Sequence, residues 1–241
     1  MNNYKTLVLA LIAVVGLTSV IIISTPQAQE NPSKSPPVKS KRKKDANHFP
    51  IANFSAEGSA DGMRRSRNEK RNKSKWRVHP AASGDSTVVV DRIDLTLPAF
   101  PTQKATAIVL GTVTDARSYL SNDKTGVYSS FSIQVEEVLK NPGRLSIGSL
   151  IEGEREGGRV QFPSGRIRLY MIAEQDMPQV GGRYVFFLND GDNETVFEII
   201  TGYEIRDSSV LPLDELPEAS AYENSATPEF FKELRTKLAK P

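Results

Sequence analysis

The 241-residue chain contains no cysteine, and this absence excludes several kinds of chemistry together. Without a thiol there is no disulfide framework, no thiolate zinc site, no cysteine nucleophile and no lipidated cysteine behind a signal sequence. An exported domain of this chain must therefore be stabilised by its apolar core alone. That property favours a bacterial envelope protein over a small secreted animal module.

The chain is also poor in histidine and lacks the common catalytic motifs. Its two histidines, His48 and His79, both lie in a segment whose composition predicts disorder. The motifs HExxH, GxGxxG and GxSxG and the Walker phosphate loop do not occur. Because most hydrolytic triads need a histidine in the folded part of the chain, they are excluded. We predict that the protein is not an enzyme and has no catalytic residue and no cofactor.

What the chain does have is an almost unbroken apolar run over residues 7–23. The run is longer than a signal-peptide core of about 7–15 residues and close to the ~18–20 residues of a membrane span. Residues 1–28 are therefore predicted to be a signal peptide cleaved after Ala28, or an anchor through residues 7–24. Either way the rest is exported, to the periplasm, the cell surface or the medium. The basic cluster at residues 39–44 favours the inverted, cytoplasmic topology, which stays as the alternative.

Charge is divided unevenly along the chain. Residues 31–80 carry 14 Lys and Arg against 4 Asp and Glu, whereas residues 81–241 carry 16 against 24. A segment as basic and polar as residues 31–80 buries little apolar surface when it folds. That burial cannot offset the entropic cost of ordering the chain, which is about 1–2 kcal/mol per residue for the backbone. We predict a disordered basic linker over residues 29–85 and one folded domain over residues 86–241. The basic segment can also fold back onto this acidic domain.

The folded part shows the alternation of β-strands, interrupted by turn residues. Phe131, Ile133 and Val135 share one face of a strand, and polar side chains occupy the other. A helix pattern occurs only at the C-terminus, where Thr227 can act as the cap and Pro228 as the first helical residue. Many short strands with short turns favour an all-β barrel or sandwich. The side chains predicted to face inward are Val109, Phe131, Ile133, Val135, Tyr184, Phe186 and Leu188.

Four apolar segments follow one another in this domain before the C-terminal helix. They are AIVLGTV at residues 107–113, FSIQVEEVLK at 131–140, LSIGSLI at 145–151 and RYVFFL at 183–188. In this order they resemble the OB-like barrel of netrin-like and metalloproteinase-inhibitor modules, and also uncharacterised exported bacterial proteins. The resemblance implies a mainly β fold: a small OB-like or related closed β-barrel with a C-terminal α-helix. Those inhibitors engage zinc through a free amino-terminal cysteine, so their mechanism is not implied for this chain.

Two acidic groups are candidate cation ligands. Glu152, Glu154 and Glu156 fall on one strand face, where they can hold a hard cation or act as a carboxylate pair. We favour the simpler interpretation that they are charges protecting an edge strand from aggregation. The loop at residues 190–194 has oxygen ligands but lacks the glycine and distal glutamate of an EF-hand, so it is interpreted as a hairpin turn. No metal site is predicted.

The clearest binding signal is the basic tract of residues 64–77. Its cations, with one tryptophan among them, can hold a polyanion such as nucleic acid, anionic lipid or an acidic envelope polymer. Charge alone does not select a partner, so a merely soluble linker remains the other interpretation. Export favours lipid or envelope polymer over nucleic acid. The candidate polyanion-binding residues are Arg64, Arg65, Arg67, Lys70, Arg71, Lys73, Lys75, Trp76 and Arg77.

Together these features predict a non-enzymatic, exported binding or interaction protein of the bacterial cell envelope. Its partner is expected to be an anionic lipid, an envelope polymer or another protein. The alternative is a membrane-anchored protein with a cytoplasmic basic arm that binds nucleic acid or anionic lipid.

Overall fold

Ten strands and two α-helices occur in the residues that the computed structural model describes, which are 46–56, 61–79, 87–141, 143–191 and 193–239. In chain order they are β1 (Ile51–Asn53), α1 (Gly62–Lys70), β2 (Thr87–Arg92), β3 (Ala107–Leu120), β4 (Val127–Lys140), β5 (Leu150–Glu156), β6 (Gly158–Gln161), β7 (Ile167–Ala173), β8 (Arg183–Asp190), β9 (Val196–Ile205), β10 (Val210–Pro212) and α2 (Thr227–Leu238). Short 3₁₀ turns lie at Ala46–His48 and Ala219–Tyr222. The prediction of a mainly β fold with a C-terminal helix is confirmed.

The predicted signal peptide or anchor at residues 1–28 lies outside the described residues, as does the linker up to residue 45. Neither helix of the described part is long and apolar enough to cross a membrane.

The larger sheet has the strand order β10-β9-β5-β4-β3-β8, and β8 also pairs with β9. Five strands, β3, β4, β5, β9 and β8, therefore form a ring of hydrogen-bonded neighbours. The neighbours in this ring are antiparallel except β5 and β9, which are parallel. Because β10 extends the sheet beyond the ring and a second sheet is present, the architecture is not a simple closed barrel.

One apolar cluster contains the side chains that the sequence predicts to face inward. Val109, Phe131, Ile133, Val135, Tyr184, Phe186 and Leu188 all belong to it, and none exposes more than 1% of its surface. The register of β3 against β4 shifts next to Gly111, where a Cβ atom would lie 2.7 Å from the Gln134 carbonyl oxygen. Glycine is needed there because the two backbones approach too closely for a side chain. The predicted inward face is confirmed.

The C-terminal helix α2 packs on a second apolar cluster. Phe230 and Leu234, four residues apart, are both buried in it. The helix begins at Thr227, so Ala226 rather than Thr227 occupies the cap position, and it makes no side-chain capping hydrogen bond. The predicted cap is therefore wrong by one residue, and packing rather than capping stabilises this helix start.

The segment predicted to be a disordered linker is folded over residues 46–56 and 61–79, so the folded part begins well before residue 86. Its β1 pairs in parallel with β6, in a smaller sheet of order β1-β6-β7-β2. Phe49 and Ala52 are buried in the apolar clusters, and Trp76 packs edge-on against Tyr170 with ring centroids 6.2 Å apart. A few well-spaced apolar side chains thus anchor a segment whose average composition is too polar to predict folding.

Candidate functional site

Helix α1 carries a stripe of basic side chains on the face that meets the sheet. It begins after Asp61, whose Oδ1 accepts a hydrogen bond from the Met63 backbone N–H at 3.0 Å. Arg64, Arg67, Asn68 and Arg71 follow at intervals of three and four residues, which places them on one side of the helix. Arg64, Arg67 and Asn68 expose only 5–8% of their surfaces. The stripe has helical spacing, but it consists of three arginines and one asparagine instead of apolar residues.

Opposite this stripe, β5 presents two carboxylates. Glu152 and Glu154 lie two residues apart in the strand and share a face, as predicted. The nearest oxygen of Glu154 lies 3.3 Å from Arg64 Nη1, 3.1 Å from Arg67 Nη1 and 2.8 Å from Arg71 Nη2. Glu152 is 3.1 Å from Arg64 Nη2 and also pairs with Arg67. These five side chains form the Arg–Glu cluster, in which three guanidiniums share two carboxylates.

Two tyrosines complete the surroundings of this cluster. The Arg64 guanidinium carbon lies 3.9 Å from the Tyr119 ring centroid, and that of Arg71 lies 4.0 Å from the Tyr128 centroid. The Tyr128 hydroxyl donates to Asn68 Oδ1 at 2.7 Å and accepts from Arg64 Nη1 at 3.3 Å. Burial raises the pKa of Tyr128, so it stays a neutral donor. Stacking on aromatic faces adds a favourable cation–π contribution to the ion pairs.

The cluster shifts the titration of Glu152. Burial acts to raise its pKa, but the hydrogen bond from Arg67 and the charges of Arg64 and Arg67 outweigh burial and hold the pKa below its ordinary value of 4.5. The carboxylate therefore stays ionised to lower pH in the folded chain than in the unfolded chain. Ionisation of Glu152 and attachment of α1 are thermodynamically linked.

We expect the free energy of unfolding to fall as the pH drops below 4.5, the ordinary pKa of Glu152. A lowered folded pKa contributes stability that is present above the unfolded value and is lost as the pH passes through the folded value. Trp76, the sole tryptophan, reports the transition by fluorescence in urea titrations from neutral to acidic pH. Glu152→Gln should flatten this dependence. The exposed Glu194→Gln is the control, and equal slopes for the two variants would contradict the linkage.

The structure divides the nine predicted polyanion-binding residues into two groups. Arg64, Arg67 and Arg71 lie in the Arg–Glu cluster, and Trp76 is buried among apolar side chains. These four side chains contact the protein itself. The exposed group contains Arg65, Lys70, Lys73, Lys75 and Arg77.

The exposed group lies on a segment that is also held by other contacts. Lys75 pairs with Asp91 at the surface, and the Lys73 backbone N–H donates to Asp123 Oδ2 at 2.7 Å. Asp123 belongs to the hairpin between β3 and β4, so that hairpin and the end of α1 are joined directly. The exposed cations therefore sit on a defined surface, and their binding to a polyanion stays a prediction.

The strand order corrects the interpretation that Glu152, Glu154 and Glu156 protect an edge strand from aggregation. Strand β5 lies between β4 and β9, so it is not an edge, and the carboxylates of Glu152 and Glu154 face arginines. Residues 190–194 include the turn between antiparallel β8 and β9, where the Gly191 N–H donates to the Val196 carbonyl oxygen at 2.9 Å. The hairpin interpretation is confirmed for the described part of this loop. Among the described residues, no group of three or more His, Asp or Glu is placed to hold a metal ion.

A second buried network, which the sequence did not reveal, includes one of the two histidines. Arg155 donates to both oxygens of Asp214 at 2.9 and 2.7 Å, and their side chains are 1% and 0% exposed. The Asp176 backbone N–H donates to Asp214 Oδ1 at 3.0 Å, and the Asp176 carboxylate lies 2.7 Å from His48 Nε2. His48 thus joins the N-terminal segment to the core, whereas His79 is exposed.

The sequence contained a signal for helix α1, which lies in the segment predicted to be disordered. The Asp61 cap and the three- and four-residue spacing of Arg64, Arg67 and Arg71 together indicate a helix with one basic face. No such local signal marks Arg155 or Asp214, which are 59 residues apart. Their pairing depends on long-range packing.

Comparison with known proteins finds no family model, no curated protein and no solved structure that matches this chain. The contacts of the chain itself therefore carry the functional proposal.

Proposed function

We propose that this chain is a non-enzymatic binding protein of the bacterial cell envelope that holds an acidic polymer through the exposed cations of residues 65–77. The proposal includes export of the folded part, supported by the apolar run at residues 7–23. It also includes an OB-like barrel, supported by the five-stranded ring with an additional strand outside it. OB-like barrels often act as binding scaffolds, and this analogy between folds is consistent with a binding role.

The observation that carries the proposal is the division of the basic tract. The buried arginines of the Arg–Glu cluster fasten α1 to the sheet, while Arg65, Lys70, Lys73, Lys75 and Arg77 remain at the surface. A charged surface that is already ordered loses less conformational entropy on binding than a flexible arm does. One set of cations therefore builds the surface, and the proposal assigns the exposed set to the contact with an anionic partner.

We expect the variant Lys70→Gln/Lys73→Asn/Lys75→Gln to lose most of its salt-dependent retention on a heparin column, with an unchanged melting temperature. Because each cationic contact releases counterions from the polymer, a variant with three fewer contacts releases fewer of them, so its salt dependence should weaken along with its affinity. Asparagine is chosen at Lys73 because that residue has a φ of 56°, which asparagine tolerates.

The matched control is Lys104→Gln/Lys232→Gln/Lys237→Gln, which removes the same charge from exposed positions elsewhere. This control should elute close to the unmodified protein. Equal losses in both triple variants would show that retention follows net charge alone, and the proposed surface would then be wrong.

A further inference from the structure

A pocket of about 590 Å³ lies where α1, β1 and the hairpin between β3 and β4 meet. Its volume is within the range of about 300–1,000 Å³ that is typical of small-molecule sites. Tyr119 and Asn68 form part of its wall, and both also contact members or neighbours of the Arg–Glu cluster. The pocket is therefore next to the cluster but is lined by different cations.

The two charged side chains among the described residues that line the pocket are both basic. Arg65 from α1 and Lys124 from the hairpin line it, and the described lining residues include no carboxylate. The neighbouring Asp123 is not among the described lining residues, and its carboxylate accepts hydrogen bonds from Ser121 Oγ at 2.7 Å and from the Lys73 backbone N–H at 2.7 Å. An anionic group in this pocket would meet two cations without a competing carboxylate from these walls.

Hydrogen bonds between the walls hold the shape of the pocket. Asn122 Nδ2 donates to the Arg65 carbonyl oxygen at 3.0 Å, which joins the hairpin to α1. Lys124 Nζ donates to the Phe54 carbonyl oxygen at 2.8 Å, which joins the hairpin to the residues after β1. Since an ammonium has three donors, Lys124 keeps donors for a ligand. A preformed pocket of this kind loses little entropy when a ligand binds.

The remaining walls add hydrogen-bonding and ring-contacting groups. Asn53 and Asn122 supply amides, while Tyr119 and Leu120 supply an aromatic ring and an apolar surface. A guanidinium recognises a carboxylate or phosphate through two parallel hydrogen bonds, and a lysine acts on it as a point charge. Amides suit hydroxyl groups, and the apolar surfaces suit the face of a sugar ring.

We infer that this pocket binds an acidic sugar, with its carboxylate or phosphate between Arg65 and Lys124. The inference rests on the proposed function only for the source of the ligand, because an acidic sugar is a natural repeating unit of an acidic envelope polymer. The pocket shares Arg65 with the exposed cations but is not lined by Lys70, Lys73 or Lys75, so variants at positions other than Arg65 test the two sites independently.

The test is calorimetric titration of the full-length chain with galacturonate, glucose 6-phosphate and neutral glucose. We expect both acidic sugars to bind and glucose to bind at least about 10-fold more weakly, since charged hydrogen bonds contribute most of the affinity.

Arg65→Gln and Lys124→Gln should each weaken binding of the acidic sugars about 10-fold. Ala56→Trp, at an exposed position in the pocket wall, should block the pocket without a change of charge. Arg206→Gln, an exposed arginine far along the chain, should leave the affinity unchanged.

Binding of glucose as tight as that of glucose 6-phosphate would overturn the inference, as would no binding of either acidic sugar. Unchanged affinity in all three pocket variants would overturn it too. A galacturonate trimer that binds more tightly than the monomer supports a polymer as the source, and equal affinity supports a single sugar. The variant Lys70→Gln/Lys73→Asn/Lys75→Gln should bind the sugars normally, and Lys124→Gln and Ala56→Trp should keep their heparin retention. Arg65 belongs to both sites, so Arg65→Gln should weaken both kinds of binding, and the other variants distinguish the two proposals.

Discussion

Glu154→Gln is expected to lower the free energy of unfolding by about 3–5 kcal/mol, because removing one partner of a buried ion cluster leaves its charges uncompensated. The Glu154 side chain is 3% exposed and pairs with Arg64, Arg67 and Arg71. With that charge removed, Arg64 and Arg67 would keep only the carboxylate of Glu152, and Arg71 would lose its ion pair with Glu154. Urea denaturation, followed by circular dichroism and by Trp76 fluorescence, measures the change.

The control for this variant is Glu137→Gln at the surface. Glu137 pairs with Arg235 at 3.0 Å, but the two side chains are 39% and 61% exposed, so the loss should stay below about 1 kcal/mol. Arg71→Gln should cost less than Glu154→Gln, since Arg64 and Arg67 still contact both carboxylates. Similar losses for Glu154→Gln and Glu137→Gln would show that the cluster does not hold α1 on the sheet.

Asp214→Asn is expected to destabilise the fold by a similar amount, about 3–5 kcal/mol, for the same physical reason. It leaves the guanidinium of Arg155 buried without its counter-charge, although that guanidinium also donates to the Ile199, Ile200 and Asp176 carbonyl oxygens. The loss should appear as a lower denaturation midpoint with an unchanged slope.

A double-mutant cycle separates the pair from its surroundings. Arg155→Met/Asp214→Leu should be less destabilised than the sum of its two single variants, because it removes both buried charges together. The carbonyl oxygens that Arg155 serves would still lose a donor, so recovery should be incomplete. Asp94→Asn, which weakens the exposed pair with Lys104, is the surface control and should cost much less than either buried single variant. Additive effects in the cycle would contradict the coupling.

The core of the ring could be predicted from the sequence because alternation is a local property of the chain. Phe131, Ile133 and Val135 are two residues apart, and any strand places them on one face. The opposite face was expected to be polar and open to solvent. Tyr128 and Ser130 lie on that face, yet they are 0% and 7% exposed. Asn68 and Arg64 of α1 contact the Tyr128 hydroxyl, and Ser130 donates to Glu152 of the Arg–Glu cluster.

The folding of the basic segment could not be predicted from its composition. Arg64, Arg67 and Arg71 are individually poor candidates for burial, since an unpaired buried charge is costly. Burial becomes favourable only where carboxylates and aromatic rings lie opposite, and the partners on β5 are 83 to 90 residues further along the chain. Likewise, Glu152 and Glu154 were correctly placed on one face, but only the pairing of β5 with β9 shows that they are not on an edge.

By itself the sequence determined the strand pattern, the inward-facing side chains, the C-terminal helix and the separation of charge along the chain, because each depends on neighbouring residues. The tertiary structure alone decided which arginines face carboxylates, which cations remain exposed and where the pocket beside Arg65 and Lys124 lies. Those features depend on pairing between distant segments, and the free energy of a charge is set by the groups around it rather than by its place in the sequence.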